Sequence, residues 1–449
     1  MGGDTIAAIA TPPGRGAIAI VRVSGPLVRD IALALCPGRP LRPRRAERRA
    51  VIGSDGSAID HGLALFFPAP HSYTGEDVLE LHVHGSTAVA RDALLAALAA
   101  GARAAQAGEF TRRAYESGKI DLCAAEAVAD LIAAEHRTAA RAASARLAGG
   151  LVAEVERLRF QLSAILEELT AALDFPDEVA APDAADLTAR VHAVDAGLAD
   201  LGRTWERGRL VREGAAVAIV GPPNAGKSSL FNGLLATERV LVSDLAGTTR
   251  DTVEESVALG DGGVARLIDT AGLRPSADAL EAAGVARSEA ALSAASLVLV
   301  VVDASGPLDP AARDVLRRTR ERERLVYFNK CDVGRIGYEQ RESPEERALL
   351  GCAHERDSLE AVRIALRERL GDGCVDLARP HLGTARQADA VLEARRALGA
   401  ARETLDAQAP IDLVASDVAA AHASLGALSG RDADEAVLDA VFARFCIGK

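Results

Sequence analysis

The stretch Gly221 to Ser229, GPPNAGKSS, follows the apolar run Val217 to Val220 and precedes Leu230 and Phe231, where a helical pattern begins. A strand, a glycine-bearing loop ending in Gly226-Lys227-Ser228 and a helix in that order make a phosphate cradle. Glycine backbone can turn its N–H groups onto phosphate oxygens, and the helix N-terminus adds its dipole. Such a loop works only at the end of a parallel strand, which requires an α/β domain around it. Asn224, Ala225, Gly226, Lys227, Ser228 and Ser229 are therefore expected to contact a nucleotide, with Lys227 on the β- and γ-phosphates and Ser228 on Mg²⁺.

Two later strand ends fit the same domain. Leu267 and Ile268 lead into Asp269-Thr270-Ala271-Gly272, where an Asp can hold the magnesium's water shell and a Gly N–H can meet the γ-phosphate. Leu325 to Phe328 lead into Asn329-Lys330-Cys331-Asp332, the pattern NKxD. A carboxylate at Asp332 accepts two hydrogen bonds from guanine N1 and N2 and finds no such donors on adenine. GTP is the expected nucleotide.

The 449 residues suggest about three domains at ~150 residues each. Aromatics are only 3% of the chain and alanine is abundant, which favours helices packed through small side chains. Thr5 to Val23 reads as a β-hairpin around the turn Thr11-Pro12-Pro13-Gly14-Arg15-Gly16. Leu63 to Phe67 and Val78 to Val83 add strands and Ala88 to Ala100 a helix, giving an α+β domain over residues 1–119. Helical spacing from Asp121 to Leu173, and again from about Leu187 to Val211, makes residues 120–213 the first part of a helical domain. The nucleotide domain occupies residues 214–373, and helical periodicity returns over 374–449. Because the ends of such a domain generally lie close together, it can be inserted between two halves of one helical domain.

Other features bound the function. No apolar run is long enough to suggest a membrane span and no targeting segment opens the chain, so the expectation is a cytoplasmic protein with no membrane partner. Six cysteines without a CxxC pair suggest neither zinc nor disulfides. A net charge of −12 argues against a broad nucleic-acid surface. The basic run Arg39, Arg42, Arg44, Arg45, Arg48 and Arg49, with prolines and no aromatics, reads as a solvated loop. His82 and His84 alternate onto one strand face and read as partly exposed residues, there being no third ligand nearby.

With these residues in hand, the chain resembles the MnmE (TrmE) family of bacterial tRNA-modification GTPases over nearly all its length. The resemblance is carried by TPPGRG, SYTGEDVLELHVHG, GEFTRRAYESGKIDL, Phe175-Pro176-Asp177-Glu178, the asparagine-bearing P-loop, Gly247-Thr248-Thr249-Arg250-Asp251, DTAGLR and the terminal Phe445-Cys446-Ile447-Gly448-Lys449. It implies modification of C5 of the wobble uridine of certain tRNAs, at position 34, to a carboxymethylaminomethyl-type group, with an FAD-dependent MnmG-type partner in a heterotetramer. The one-carbon unit would come from 5-formyltetrahydrofolate or a related folate. By position, Arg22, Glu80, Lys119 and Lys449 are its folate contacts. A homodimer through the N-terminal domains is implied as well.

The same resemblance fills gaps in the GTPase site. Leu273 stands where Ras-like proteins carry the glutamine that positions water. The family points instead to Glu281 as the catalytic residue. No arginine finger is visible; the resemblance implies K⁺ beside the phosphates, held by Asn224 with Ser243, Leu245 and Thr248. Asn224 as a simple turn residue is an equal reading of the residues alone. Ala246, Gly247 and Thr249 complete the nucleotide contacts, Thr249 also on Mg²⁺. Where the family has Ser-Ala-Lys or Ser-Ala-Arg after the base-reading Asp, this chain has Cys352-Ala353-His354. A regulatory RNA- or ribosome-associated GTPase switch is the alternative.

Overall fold

The structure is a computed structural model that describes residues 3–134, 136–237, 254–260, 263–269, 295–339, 348–370, 379–431 and 433–449. Its residues form two compact units, one of Met1–Ala129, Leu147–Asp195 and Ala390–Lys449, the other of Asp130–Arg146 and Ala196–Asp389. The architecture is multidomain: an α+β N-terminal part, helical segments, and between them in sequence an α/β P-loop domain.

In the first unit, β1 (Ile6–Ile9) and β2 (Ile18–Ser24) pair antiparallel around the Pro-Gly turn, as the turn residues predict. β3 (Glu47–Ile52), β4 (Ala58–Phe67), β5 (Val78–His84) and the two-residue β6 (Arg103–Ala104) complete a sheet ordered β3-β4-β5-β2-β1-β6. Helices α1 (Val28–Leu35) and α2 (Thr87–Ala99) join one core with the inward residues of the strands: Ala7, Val21, Val23, Leu79 and Leu81 pack with Ile31, Leu35, Ala93 and Ala97. Period-two alternation then sends Arg22 and Glu80 to the opposite face. That face carries a smaller cluster of Ile6, Ala8, Ala105 and Phe110, the last from α3 (Glu109–Glu116). The basic run expected to be a loop is partly strand, since Arg48 and Arg49 lie on β3, the edge of the sheet. Its pairing with β4 uses backbone groups, to which side-chain charge is no obstacle.

Helices α4 (Leu122–Ala133), α5 (Arg137–Leu147), α6 (Gly150–Asp174) and α7 (Ala184–Glu213) follow. α6 ends at Asp174, just before Phe175-Pro176, whose proline cannot continue the helix.

The second sheet is ordered β12-β11-β10-β7-β9-β8, built from β7 (Ala215–Val220), β8 (Glu254–Gly260), β9 (Gly263–Asp269), β10 (Leu297–Asp303), β11 (Arg324–Asn329) and β12 (Ala348–Leu350). Every pairing is parallel except β8 with β9. β7 and β10 are buried almost throughout, as a sheet covered on both faces demands. One face packs on α8 (Lys227–Thr237) through Leu230, Phe231 and Leu234; the other meets α9 (Pro310–Arg318) through Ala312. The order reverses beside β7, and the crevice outside the carboxyl ends of β7 and β10 is the place where such sheets bind ligands. α10 (Ile336–Glu339) and α11 (Arg356–Leu370) complete this part of the chain.

The chain ends in α12 (Ala385–Asp406), α13 (Ile411–Ser429) and α14 (Glu435–Phe442). By length and composition α13 alone among the described helices could cross a membrane. Val414, Val418, Ala421, Leu425 and Leu428 on it are buried in the protein along one face, while Leu413 is exposed.

Candidate functional site

The loop after β7 takes its shape from three residues with positive φ. Gly221 (157°) passes so close to β10 that a Cβ there would lie 2.1 Å from the Val301 carbonyl oxygen. Asn224 sits left-handed at 63° and exposed, a conformation asparagine tolerates. Gly226 (92°) allows a second close approach, since a Cβ would fall 2.1 Å from Asn329 Nδ2. Lys227 opens α8, and its Nζ donates to the Gly221 and Pro222 carbonyls at 2.9 and 2.8 Å, so the ammonium is held across the loop. Ser228 follows in the first turn of α8. A cradle of this kind, with no room for side chains and an ammonium over it, suits an anion with several oxygens.

Asn329 joins this loop to the next. It is buried at the end of β11; its Nδ2 donates to Ala225 O at 2.9 Å and its Oδ1 accepts from Ala353 N at 2.9 Å. One amide therefore fixes the phosphate loop, the NKxD turn and the segment after β12 together. Lys330 is left-handed at 64°, and its Nζ bonds Asp303 Oδ2 at 2.6 Å, at the end of β10. Burial pushes the Asp303 carboxyl up, but Lys330 and the N–H and Oγ of Ser305 outweigh it and hold it below the usual range. Asp332 is exposed on the turn. Beside it the Cys352 thiol is raised by burial and, further, by its hydrogen bond to the Asp332 carboxylate.

Asp303 was not picked out from the sequence; the signal was an acidic residue ending the buried run Leu297 to Val302. Ser243, Leu245, Ala246, Gly247, Thr248, Thr249, Thr270, Ala271, Gly272 and Glu281 lie outside the described residues. Asp269 ends β9, with its side chain likewise outside. Of the nucleotide residues expected, Asn224 to Ser229, Asn329, Lys330 and Asp332 are gathered at the carboxyl ends of β7 and β11.

A second constellation stands on the outer face of the N-terminal sheet. Register places Arg22 opposite Glu80, and the pair closes at 2.9 Å between Nη2 and Oε1, with Nε on the same oxygen at 3.0 Å. The guanidinium lies 5.7 Å from the centre of the Tyr73 ring and 5.6 Å from that of Phe110. Its Nη1 donates to the Gly448 carbonyl at 3.3 Å. The chain end is held there by a bridge between Ile447 and Ala107 and by Gly448, whose φ of 99° permits an approach that would put a Cβ 2.5 Å from Ile9 O. Burial lowers the Lys449 ammonium pKa, Arg22 lowers it further, and Glu80 opposes both. Arg22, Glu80 and Lys449 are thus brought together. Lys119 is exposed beside Gly75, whose added Cβ would lie 3.5 Å from Lys119 Cε, and it shares no hydrogen bond with the other three among the described residues. Tyr73 and Phe110 were missed as individuals, although both fall inside the stretches that carry the resemblance. Glu80 Oε2 also meets His82 Nε2 at 3.3 Å, while His84 turns to Asp60 at 2.9 Å. A carboxylate and guanidinium between two rings can meet a flat heterocycle that has both donor and acceptor edges.

Comparison with known proteins covers the whole chain. The family profile described as GTP-binding protein TrmE N-terminus matches residues 5–119, and that of the MnmE helical domain matches residues 122–446. Proteins named tRNA modification GTPase MnmE are 42% identical in Akkermansia muciniphila and 43% in Chloroflexus aurantiacus, each over 99% of this chain and 99% and 100% of their own lengths. The protein of that name from Laribacter hongkongensis is 42% identical over 99% of both chains.

Proposed function

Because this chain belongs to the MnmE (TrmE) family of tRNA-modification GTPases, we propose that its GTP hydrolysis serves a folate-dependent alteration of C5 of the wobble uridine. The partner in this reading is a flavoprotein of MnmG type, the assembly a heterotetramer built on a homodimer, and the setting the cytoplasm. Domain boundaries at residues 119, 213 and 373 accompany the proposal.

The observation that carries the folate part is the meeting of Arg22, Glu80 and the Gly448-Lys449 chain end beneath Tyr73 and Phe110. A GTPase acting purely as a switch has no use for it. When bound, the folate would supply the one-carbon unit. Glu80 would take the donor edge of the pterin, and Arg22 would fix the direction of its carboxylate. Lys449 and Lys119 would meet carboxylates of the tail. Because burial disfavours the Lys449 charge, an arriving carboxylate regains more there than at an exposed lysine.

In the nucleotide site Lys227 and the loop amides would bind the phosphates, and Asp332 would read guanine. Ser228 and Thr249 would hold Mg²⁺. K⁺, held by Asn224, Ser243, Leu245 and Thr248, would supply positive charge where negative charge accumulates. Glu281 would orient the attacking water, a task that Leu273 cannot perform.

The test is mass spectrometry of tRNA nucleosides from a strain lacking the gene, complemented with the parent or with Arg22→Ala. The parent should restore C5-modified wobble uridine and the variant should not, while both hydrolyse GTP alike. A strain with unchanged nucleosides on deletion would replace the proposal with a switch that acts on RNA or ribosomes.

A further inference from the structure

In a chain of net charge −12, six arginines fall between residues 39 and 49 with Glu47 the only acidic residue among them. Glu47 itself is 8% exposed and sits under the group: it accepts from Arg42 N at 3.0 Å and from Arg49 Nη2 at 2.8 Å, with Arg42 Nε at 3.4 Å and Arg39 Nη2 at 3.5 Å. The Arg42 backbone N–H, then Arg49, hold its carboxyl down to about 2, so it stays ionised at any working pH.

The consequence is an ordered set of guanidiniums rather than a flexible run. Arg49 Nη2 also reaches Arg39 O at 2.9 Å, Arg44 N bonds Phe66 O at 2.8 Å, and Arg44 Nη2 donates to His71 O. Arg44, Arg45 and Arg48 are exposed and have no carboxylate partner among the described residues. Arg39, at the start of the run, lines a cavity of about 190 Å³. Arg29, whose guanidinium sits 5.1 Å from the centre of the Phe66 ring, lines it together with Arg39, Leu33, Pro40 and Leu41.

We propose that β3 and the arginine turn before it form a docking surface for the phosphodiester backbone of the tRNA substrate, with the cavity beside Arg39 accepting an unstacked base. This rests on the tRNA-modification reading and adds to it the place where the RNA lies. Arg39, Arg42 and Arg49, fixed by Glu47, give the turn a set shape, and Arg44, Arg45 and Arg48, exposed and without a carboxylate partner among the described residues, offer guanidiniums whose charge is free for phosphates. A neighbouring slot walled by apolar groups and a guanidinium face fits a nucleobase better than the carboxylates of an acidic protein.

The experiment is fluorescence anisotropy of a labelled tRNA transcript with the full chain over a series of salt concentrations. Arg44→Ala/Arg45→Ala/Arg48→Ala should weaken binding about tenfold or more at ~0.15 M salt and flatten the log–log salt slope by about 2, at roughly 0.7–0.9 per phosphate contact. The corresponding triple lysine variant should keep the parent's slope, which a merely structural role would not predict. GTP hydrolysis should be the same in all three. If the parent binds tRNA and the alanine variant matches it in affinity and slope, the surface is not the docking site and the tRNA reading stands. If the parent does not bind tRNA at all, that reading falls and takes the surface with it. Displacement of tRNA by polyglutamate at equal charge concentration would assign the patch to an acidic protein instead.

Discussion

Asn329 holds three segments with one amide, and its removal has a calculable cost. Asn329→Ala leaves the Ala225 carbonyl and the Ala353 N–H without their partner in a buried place. At roughly 1–3 kcal/mol for each of the two orphaned groups, a loss of about 2–6 kcal/mol is expected in urea unfolding followed in the P-loop domain. GTP affinity should fall with it, as read by titration of a fluorescent analogue. Asn329→Asp keeps the acceptor for Ala353 N but sets an oxygen against Ala225 O, and should weaken nucleotide binding even though it is nearly isosteric. Two further outcomes separate the proposed roles at the phosphates. Asn224→Ala should abolish the excess of hydrolysis in KCl over NaCl while leaving GDP affinity nearly constant; equal parent rates in the two salts would leave Asn224 as a turn residue. Glu281→Ala should reduce single-turnover hydrolysis in saturating K⁺ by about 10²–10⁴-fold with little change in affinity for a non-hydrolysable analogue. A rate equal to the parent's would move that role elsewhere. At this scale the sequence was readable wherever a motif has local geometry: GPPNAGKSS and NKCD are consecutive residues whose chemistry follows from their order. The Lys330–Asp303 and Asn329–Ala225 bonds were not, because each joins positions tens of residues apart or more through a parallel register that no local pattern encodes.

At the level of elements, strand alternation announces that Arg22 faces away from Val21 and Val23, yet only pairing of β2 with β5 sets it against Glu80. The chain end then completes the arrangement, and there Gly448 is the residue with least freedom to change. Gly448→Ala would combine a left-handed φ of 99° with a contact of 2.5 Å to Ile9 O, so the terminal turn must move and take the carbonyl from Arg22. Calorimetric titration with a reduced folate should show affinity lowered tenfold or more, about 1.4 kcal/mol, with GTP turnover intact. Undiminished folate affinity would exclude the chain end from the site. The helices were legible as helices from apolar spacing, and the end of α6 from Phe175-Pro176. The edge strand β3 was not, because charge at Arg48 and Arg49 hides a strand whose backbone pairing is indifferent to it.

Over the whole molecule, the scarcity of aromatics leaves cohesion to alanine, valine and leucine, and buried polar groups then stand out as acid-sensitive points. In the unit that contains the P-loop, His381 is buried, its Nδ1 meets Arg379 O at 3.3 Å, and its Nε2 has no hydrogen-bond partner among the described residues. Burial, and to a lesser degree Arg146, lower its pKa below the ordinary 6.5. The unfolded chain therefore takes up a proton near pH 6.5 that the folded chain refuses, and stability contributed by the neutral ring is complete above that pH and declines below it. The decline is at most about 1.4 kcal/mol per pH unit for this one proton. The midpoint of thermal unfolding should fall between pH 7 and pH 5.5, and less steeply in His381→Gln. A parallel fall in both proteins would place the acid sensitivity in other groups.

The arginines of β3 have one more effect, on how copies of the molecule behave towards each other. Among the described residues β3 pairs with β4 on one side only, so the hydrogen-bonding groups on its other side are a template for a strand from another copy. Arg48, exposed at that margin with Arg44 and Arg45 just before it, makes such an approach one of like charges at close range. The same residues that would draw in a polyanion thereby oppose growth of the sheet from edge to edge, on a strand whose sequence looks too charged to be one.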